Sequence, residues 1–328
     1  MRMWAAQLEQ AAAFLRKHDD FLVVSHVQPD GDAISSTVAV GWILDKLGKK
    51  YTMMNEGPVP SRLHFLRGSA DIHGCGEGAP DRKFRYIVAV DCADFARVGP
   101  TQMWFEDEFR LLNIDHHATN DAYGAVNLLK FDSAATAEIL FDLAVHMEMP
   151  IDAEAAAAFY TGLITDTGGF RYSNTSPHVM EIASRLLAAG AQGPVLAEQL
   201  LERMSMGQMR MIQRGLSRLT FSDDQRIGWL WVTTEDLAET GASNEDLEGL
   251  VNYPRNIEGV EVGILFKENG TKSVKVSLRS AGLVDVAAVA QHFGGGGHVR
   301  AAGCRLTIPL QEAVEQVVGH VRAALEGR

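Results

Sequence analysis

The chain has 328 residues, 46% of them hydrophobic and 22% charged, a composition that fills real cores and, at this length, argues for two domains. Its net charge of −12 disfavours tracking along long nucleic acid, which draws its affinity from neutralising many phosphates. Three cysteines, Cys75, Cys92 and Cys304, stand far apart with no CxxC pair, and no apolar run is long enough to span a bilayer, so a disulfide framework, a zinc knuckle, export and membrane insertion are all unexpected and a cytoplasmic setting is the plain reading.

Residues 21–25 form a short apolar run, and 32–47 follow with small and apolar residues at helical spacing up to Gly48, where a helix C-cap belongs. The loop between them, His26-Val-Gln-Pro-Asp30-Gly-Asp32, turns at Pro29 and Gly31 and can aim three ligands inward, although PDG alone is a frequent surface turn. Residues 50–54, 86–90 and 111–114 are further apolar runs flanked by Gly, Pro or Asp, the pattern of buried parallel strands. Asp91 follows the third run and Asp115-His116-His117 closes the fourth. In an open parallel sheet, ligands gather beyond the carboxyl ends of the strands, so clusters distant in sequence can converge. Asp91 by itself reads equally as a loop acid or helix cap. Two adjacent imidazoles beside a carboxylate at a strand end would repel if protonated, and call for a metal or a phosphate.

The Ala-rich segments 134–146 and 152–165 read as helices, the second delivering Asp166 beside the close-approach pair Gly168-Gly169. A further helix at 177–189 has Thr175 or Ser176 as its cap. Gly190-Ala-Gln-Gly193-Pro194 then breaks the rhythm. This places a first domain at 1–190, a helical linker at 191–217 and a second domain at 218–328. The Met-rich run 204–211 reads as core-facing helix. In the second domain, strands are expected at 219–221, 227–233, 260–266 and 273–278, with helices near 242–251, 285–293 and 310–325. The fold class is α/β, a parallel-sheet N-terminal domain with a smaller mixed α+β C-terminal domain.

Between 251 and 310, seven Lys or Arg oppose four Asp or Glu, a local basic excess that suits a ligand with few phosphates or is an ordinary fluctuation. Gly294-Gly295-Gly296-Gly297-His298 precedes a helix-compatible segment and would expose backbone N–H groups as a phosphate cradle, with His298 and Arg300 as charged partners. Arg279, ending a strand, is a second phosphate ligand or an exposed bystander. The acidic clusters of the first domain together supply five Asp and three His with no Cys, a donor set for hard divalent cations, Mn²⁺ or Mg²⁺ over structural zinc. Two such ions about 3.5–4 Å apart clamp the attacking and leaving oxygens of a displacement at phosphorus, and the reaction class is phosphoester hydrolysis.

The order HVQPDGD, VAVDCAD, NIDHHATN, LITDTGGF and GGGGHVRAAG resembles the DHH phosphoesterase superfamily with its DHH-associated C-terminal domain, across nearly the whole chain. Spacing and length are most similar to its NrnA-type branch, bifunctional oligoribonucleases (nanoRNases) and 3′-phosphoadenosine-5′-phosphate (pAp) phosphatases. The resemblance implies that His26, Asp30 and Asp91 hold one Mn²⁺ and that Asp32, Asp91, His116 and Asp166 hold the other, Asp91 bridging. It implies that His117 faces the scissile phosphate with Asp115 orienting its neighbours, so that Asp91, Asp115, His116 and His117 form the catalytic group. Arg279, Gly295, Gly296, Gly297 and His298 would bind substrate with His117. Ser35-Ser36 departs from a frequent Gly-Ser, but a small residue is retained.

The implied activity is Mn-dependent hydrolysis of short oligoribonucleotides and dinucleotides to mononucleotides, in the 3′–5′ style with polarity open, together with pAp to AMP. The implied partners are short RNA and a mononucleotide bisphosphate, with no long duplex and no membrane; a homodimer is compatible. Mg²⁺ is the alternative ion. The alternative functions are a cyclic-dinucleotide phosphodiesterase and, from another class, a non-catalytic nucleotide-binding regulator.

Overall fold

The computed structural model describes residues 2–76, 78–270 and 272–327. They fall into two compact units, 1–203 and 204–328, and the expected linker 191–217 spans that division.

The first unit runs α1 (Arg2–Lys17), β1 (Phe21–Val24), α2 (Gly31–Lys46), β2 (Tyr51–Asn55), β3 (Ile72–Gly74), β4 (Phe84–Val90), β5 (Phe105–Asp115), β6 (Val126–Leu129), α3 (Thr136–His146), α4 (Ala153–Asp166), α5 (Pro177–Ala188) and α6 (Gly193–Ala197). Its sheet has the order β3-β2-β1-β4-β5-β6, and every pairing is parallel. The central strand β1 is Phe-Leu-Val-Val and buried throughout, as a parallel strand covered on both faces must be. Val23 and Val88 face a core completed by the helices, while Leu22, Val24, Ile87 and Ala89 face a second core with Val98 and Phe105. From β1 the chain moves outward to β2 and β3; from β4 it moves outward the other way to β5 and β6. The crevice between β1 and β4 is therefore the topological switch point, where open parallel sheets bind ligands. The first acidic loop follows β1 and Asp91 follows β4.

The second unit runs α7 (Met206–Leu216), β7 (Thr220–Phe221), β8 (Ile227–Val232), α8 (Thr234–Thr240), α9 (Asn252–Arg255), β9 (Val262–Glu268), β10 (Val274–Ser280), α10 (Val286–His292), β11 (Gly296–His298), β12 (Ala301–Leu306) and α11 (Leu310–Glu326). Its sheet, β11-β12-β10-β9-β8-β7, is mixed: β8 and β9 are parallel and the other pairs antiparallel. One face packs Val276, Leu278 and Ile264 beneath α10 and α11. On the other, Leu230 and Leu265 are covered by Met211, Leu250 and Val251.

Three expectations are corrected here. No helix fills 242–251; the helix lies earlier, at α8, where Thr233 and Asp236 form a reciprocal capping box and Gly241, at φ 67°, ends it. The glycine run does not lead into a helix: Gly296–His298 pairs antiparallel with Ala301–Gly303 as a hairpin. A Cβ at Gly295 would meet Cys304 Cβ at 2.5 Å, and one at Gly297, whose φ is 141°, would meet the Ala301 carbonyl oxygen at 2.5 Å, so these glycines permit close strand approach. Of the Met-rich run, Met211 is buried but Met204, Met206 and Met209 are exposed.

Candidate metal centre

Asp30 is the N-cap of α2; its Oδ1 accepts from the backbone N–H groups of Asp32 (3.1 Å) and Ala33 (3.2 Å). This leaves its Oδ2 3.8 Å from His26 Nε2. Asp32, in the first turn of the helix and fully buried, reaches a different element. Its Oδ2 accepts from Thr136 N (2.6 Å) and its Oδ1 from Ala137 N (3.1 Å). The N-cap of α3 is Ala135, which has no side chain to offer, so Asp32 supplies the missing acceptor.

Asp91 directly follows β4 with φ 56°, a left-handed conformation that a non-glycine residue holds only when its surroundings enforce it. Its N–H donates to Ile114 O at 3.0 Å. Its carboxylate is shared: Oδ2 lies 3.5 Å from His26 Nε2, and Oδ1 lies 3.5 Å from His116 Nε2. Thr136 Oγ1 donates to that Oδ1 at 3.0 Å. His116 Nε2 is also 3.5 Å from Oδ2 of Asp166, the last residue of α4.

The imidazoles are aimed by carbonyl acceptors. His26 Nδ1 sits 2.8 Å from Val27 O and His116 Nδ1 3.2 Å from Ser133 O, which places a proton on Nδ1 and leaves Nε2, the atom turned to the carboxylates, as the ligand atom once it sheds its own proton. His117 Nδ1 is 2.8 Å from Asp115 Oδ1, while Asn120 Nδ2 donates to Asp115 Oδ2 at 2.7 Å. Asp115 therefore fixes the His117 ring, with Nε2 on its far side.

Donor atoms of His26, Asp30 and Asp91 lie within 4.8 Å of one another, as do those of Asp32, His116 and Asp166, and those of Asp91, Asp115, His116 and His117. The sequence-predicted residues of the first unit thus converge on three overlapping sets, Asp91 shared by two of them and His116 by two. Separations of 3.5–3.8 Å are too long for hydrogen bonds. They approach the spacing of roughly 3.0–3.5 Å between two donors held at about 2.1 Å on one ion.

The charge balance points the same way. Burial, then the nearby Asp91 charge, pushes the Asp32 carboxyl up to about 8. Burial with Asp32 and Asp30 pushes Asp166 well above the usual carboxylate range. Burial also works against the charge of Asp91, but His116 and His26 override it and hold that carboxyl low. For His26, burial opposes the imidazolium, yet Asp30 and Asp91 raise it to about 10. So many buried carboxylates demand positive charge, and the Asp/His donor set fits hard divalent cations.

Beneath the site, α4 presents Gly162. A Cβ there would meet Ala137 Cβ at 2.5 Å and Ser35 Oγ at 2.7 Å, with Asp32 Oδ1 closer still. Ser36 Oγ donates to Asp32 Oδ1 at 3.3 Å, whereas Ser35 Oγ donates to the Asp32 backbone carbonyl at 3.1 Å.

Sequence reasoning missed Thr136 and Asn120. Asn120 was findable, as the amide ending the NIDHHATN segment. Thr136 was not, because the role of its hydroxyl depends on Asp91, far away in the chain. In the second unit, His298 and Arg279 both stand beside Ala301, on neighbouring strands either side of β12. The period of the sheet puts them on one face, and Gly295, Gly296 and Gly297 form the hairpin next to them.

Residues 20–163 match the DHH family, N-terminal domain, and residues 230–327 match the DHHA1 domain. A Thermus thermophilus protein named bifunctional oligoribonuclease and PAP phosphatase NrnA is 33% identical over 325 residues, covering 99% of this chain and 96% of that protein. A Bacillus subtilis protein of the same name is 23% identical, over 88% of this chain and 90% of its own length. The crystal structure of an exopolyphosphatase-related protein from Bacteroides fragilis superposes with a TM-score of 0.88 at 26% identity, covering 98% of this chain and 96% of the other.

Proposed function

The chain belongs to the DHH phosphoesterase family, with both its DHH and DHHA1 domains, and from that premise we propose that it is a Mn²⁺-dependent enzyme that cleaves short oligoribonucleotides to mononucleotides and removes a phosphate from pAp. The observation that carries this reading is the Asp91 carboxylate, divided between His26 and His116 at 3.5 Å each. His26, Asp30 and Asp91 would hold one ion, and Asp32, Asp91, His116 and Asp166 the second. When bound, the ions supply an activated water and offset charge on the phosphoryl oxygens.

The chain's own groups do the rest. Val27 O and Ser133 O keep the protons of His26 and His116 on Nδ1, so both rings present Nε2. Thr136 holds Asp91 in orientation through its hydroxyl. Asp115, steadied by Asn120, accepts from His117 Nδ1 and sets the ring so that an N–H at Nε2 would donate to a phosphoryl oxygen of the substrate. Arg279 and His298, with the Gly295, Gly296 and Gly297 hairpin, would take a phosphate of the nucleotide away from the scissile bond. Among the described residues no helix is long and apolar enough to cross a membrane, and a cytoplasmic site of action accords with substrates released by RNA turnover.

The test is hydrolysis by purified protein of pAp, a dinucleotide, a long oligonucleotide and a cyclic dinucleotide, each with Mn²⁺, Mg²⁺ and Zn²⁺. Turnover of pAp and the dinucleotide, greatest with Mn²⁺, is expected. Cleavage of the cyclic dinucleotide alone, or of none of them, would overturn the reading.

A further inference from the structure

Just past Asp166, the last residue of α4, three consecutive residues take left-handed backbone: Gly168 (φ 57°), Gly169 (φ 74°) and Phe170 (φ 63°). For the phenylalanine that conformation is held at a cost. The turn is fixed from both sides. Thr167 O accepts from the N–H groups of Arg171 and Tyr172, each at 3.0 Å, and the Phe170 ring packs edge-on against Tyr160 with centroids 5.8 Å apart. The result is to bring Tyr172 back over Gly168. A Cβ on that glycine would meet Cε1 and Cε2 of the tyrosine at 2.6 Å each, with Cζ closer still, so the ring rests on bare backbone. The rest of its surface is open: Tyr172 is 45% exposed.

A second exposed aromatic stands on the neighbouring loop. Ser133 N–H donates to Lys130 O at 3.1 Å and closes a turn that has Phe131 at its corner, and Phe131 is 53% exposed. The same turn delivers Ser133 O to His116 Nδ1. Asn174 ties the two loops together, its Nδ2 donating to Ala134 O at 3.2 Å and to Asp166 O at 3.1 Å. Of all the Phe, Tyr and Trp side chains among the described residues, three are exposed: Phe131, Tyr172 and Tyr253. A single exposed aromatic needs no explanation. Two of the three on joined loops, one beside Asp166 and the other beside the carbonyl that aims His116, call for a ligand that covers rings. The donor sets below them suit phosphoryl groups, which give an aromatic face nothing to bind. A nucleotide brings both parts, a phosphate and a flat base tethered to it by one sugar.

We propose that Tyr172 and Phe131 form an aromatic rim that stacks the nucleobases of the substrate, so that the enzyme selects phosphoesters carrying a flat heterocycle over sugar phosphates and inorganic phosphate chains. Gly168 is what holds the tyrosine ring in place for this, since any larger residue would lift the ring off its support. Stacking on a ring face reads no hydrogen-bond pattern, so the rim demands a base without choosing which one. This deepens the nucleotide reading above and rests on it.

The experiment compares kcat/KM in Mn²⁺ for a dinucleotide and for its abasic counterpart, using the full chain as wild type, Tyr172→Leu, Tyr172→Phe and Phe131→Leu. Wild type should prefer the base-bearing substrate by about ten-fold or more. Tyr172→Leu should lower kcat/KM for that substrate roughly ten-fold, mainly through KM, while the abasic substrate, which has nothing to stack, changes by no more than about two-fold and bound Mn²⁺ is retained. Tyr172→Phe should behave as wild type, and Phe131→Leu should lose in the same direction as Tyr172→Leu. A second readout needs no turnover. The fluorescence of 2-aminopurine riboside 5′-monophosphate, which stacking quenches, should fall on adding wild type with Mn²⁺ and stay high with Tyr172→Leu. The rim is overturned if wild type cleaves both substrates equally, if Tyr172→Leu lowers both by one factor, as a loop that only props Asp166 would, or if Tyr172→Phe loses as much as Tyr172→Leu. The enzymatic reading fails differently, through absence of turnover of either substrate in wild type, and the 2-aminopurine signal then decides the rim by itself.

Discussion

Asp32 caps a helix to which it does not belong: its carboxylate takes the backbone N–H groups of Thr136 at 2.6 Å and Ala137 at 3.1 Å. The same side chain, by its place beside His116 and Asp166, is proposed as a metal ligand. Structural and chemical roles can therefore be separated by substitution. Asp32→Asn keeps one of the two acceptor oxygens, whereas Asp32→Ala leaves two helix-terminal donors unsatisfied. In EDTA, thermal unfolding should place Asp32→Ala below Asp32→Asn by about 1 kcal/mol or more. Both should lose hydrolysis. An alanine variant as stable as the asparagine variant would remove the capping argument.

Asp91→Ala should reduce hydrolysis by about 10²-fold or more if, as proposed, this shared carboxylate would position both ions. Circular dichroism should show the fold retained. A residual rate above about a tenth of wild type in Mn²⁺ would show that Asp91 does not bridge.

Ion binding should release protons. With Asp32 pushed up to about 8 and Asp166 raised well above the ordinary range, the ion-free site carries protons on carboxylates at neutral pH. With His26 raised to about 10, an imidazole proton must leave as well. All these groups hold protons below their raised pKa values and must shed them to act as ligands, so Mn²⁺ affinity should rise from pH 6.5 to 8.5. Calorimetry in buffers of different ionisation enthalpy counts the released protons. Equal affinity at both pH values with no release would contradict the charge assignment.

Asn120 touches Asp115, which touches His117. Asn120→Ala should lower kcat by about 10–100-fold and leave bound metal unchanged. If metal content falls in parallel with activity, Asn120 supports the ligands and not the His117 ring.

Arg279→Ala and His298→Ala should each lower dinucleotide kcat/KM by roughly ten- to hundred-fold, the worth of one charge-assisted hydrogen bond. A small generic phosphodiester should be cleaved nearly as before. Equal losses on both substrates would exclude these residues as nucleotide ligands.

Much of this was legible in the chain itself. Phe21–Val24 and Phe84–Val90 read as strands because both faces are covered, which makes them continuous apolar runs, and their ends told where the acids would gather. The edge strands Ile72–Gly74 and Val126–Leu129 are too short and too mixed in pattern to stand out. The glycine run was misread as a helix entry because its partner, Ala301–Gly303, is what makes it a strand. Pairing of that kind is not a property of either segment alone. Thr136 escaped for a similar reason: a threonine near a helix start is ordinary, and its hydroxyl matters only because Asp91 arrives from another strand.

Gly162 contributes no donor and no charge, yet it limits what the second ligand set can become. The atom nearest its absent methyl is the Asp32 carboxylate oxygen, and the helices carrying Ser35 and Ala137 leave no space to retreat. Any side chain there would press on the Asp32 carboxylate, proposed here as a ligand, and so alter the size of ion that this set would admit. Mg²⁺ demands a tighter and more regular shell than larger cations. For anyone seeking to retune this protein's ion preference, the joint between helices is therefore as direct a route as the ligands themselves.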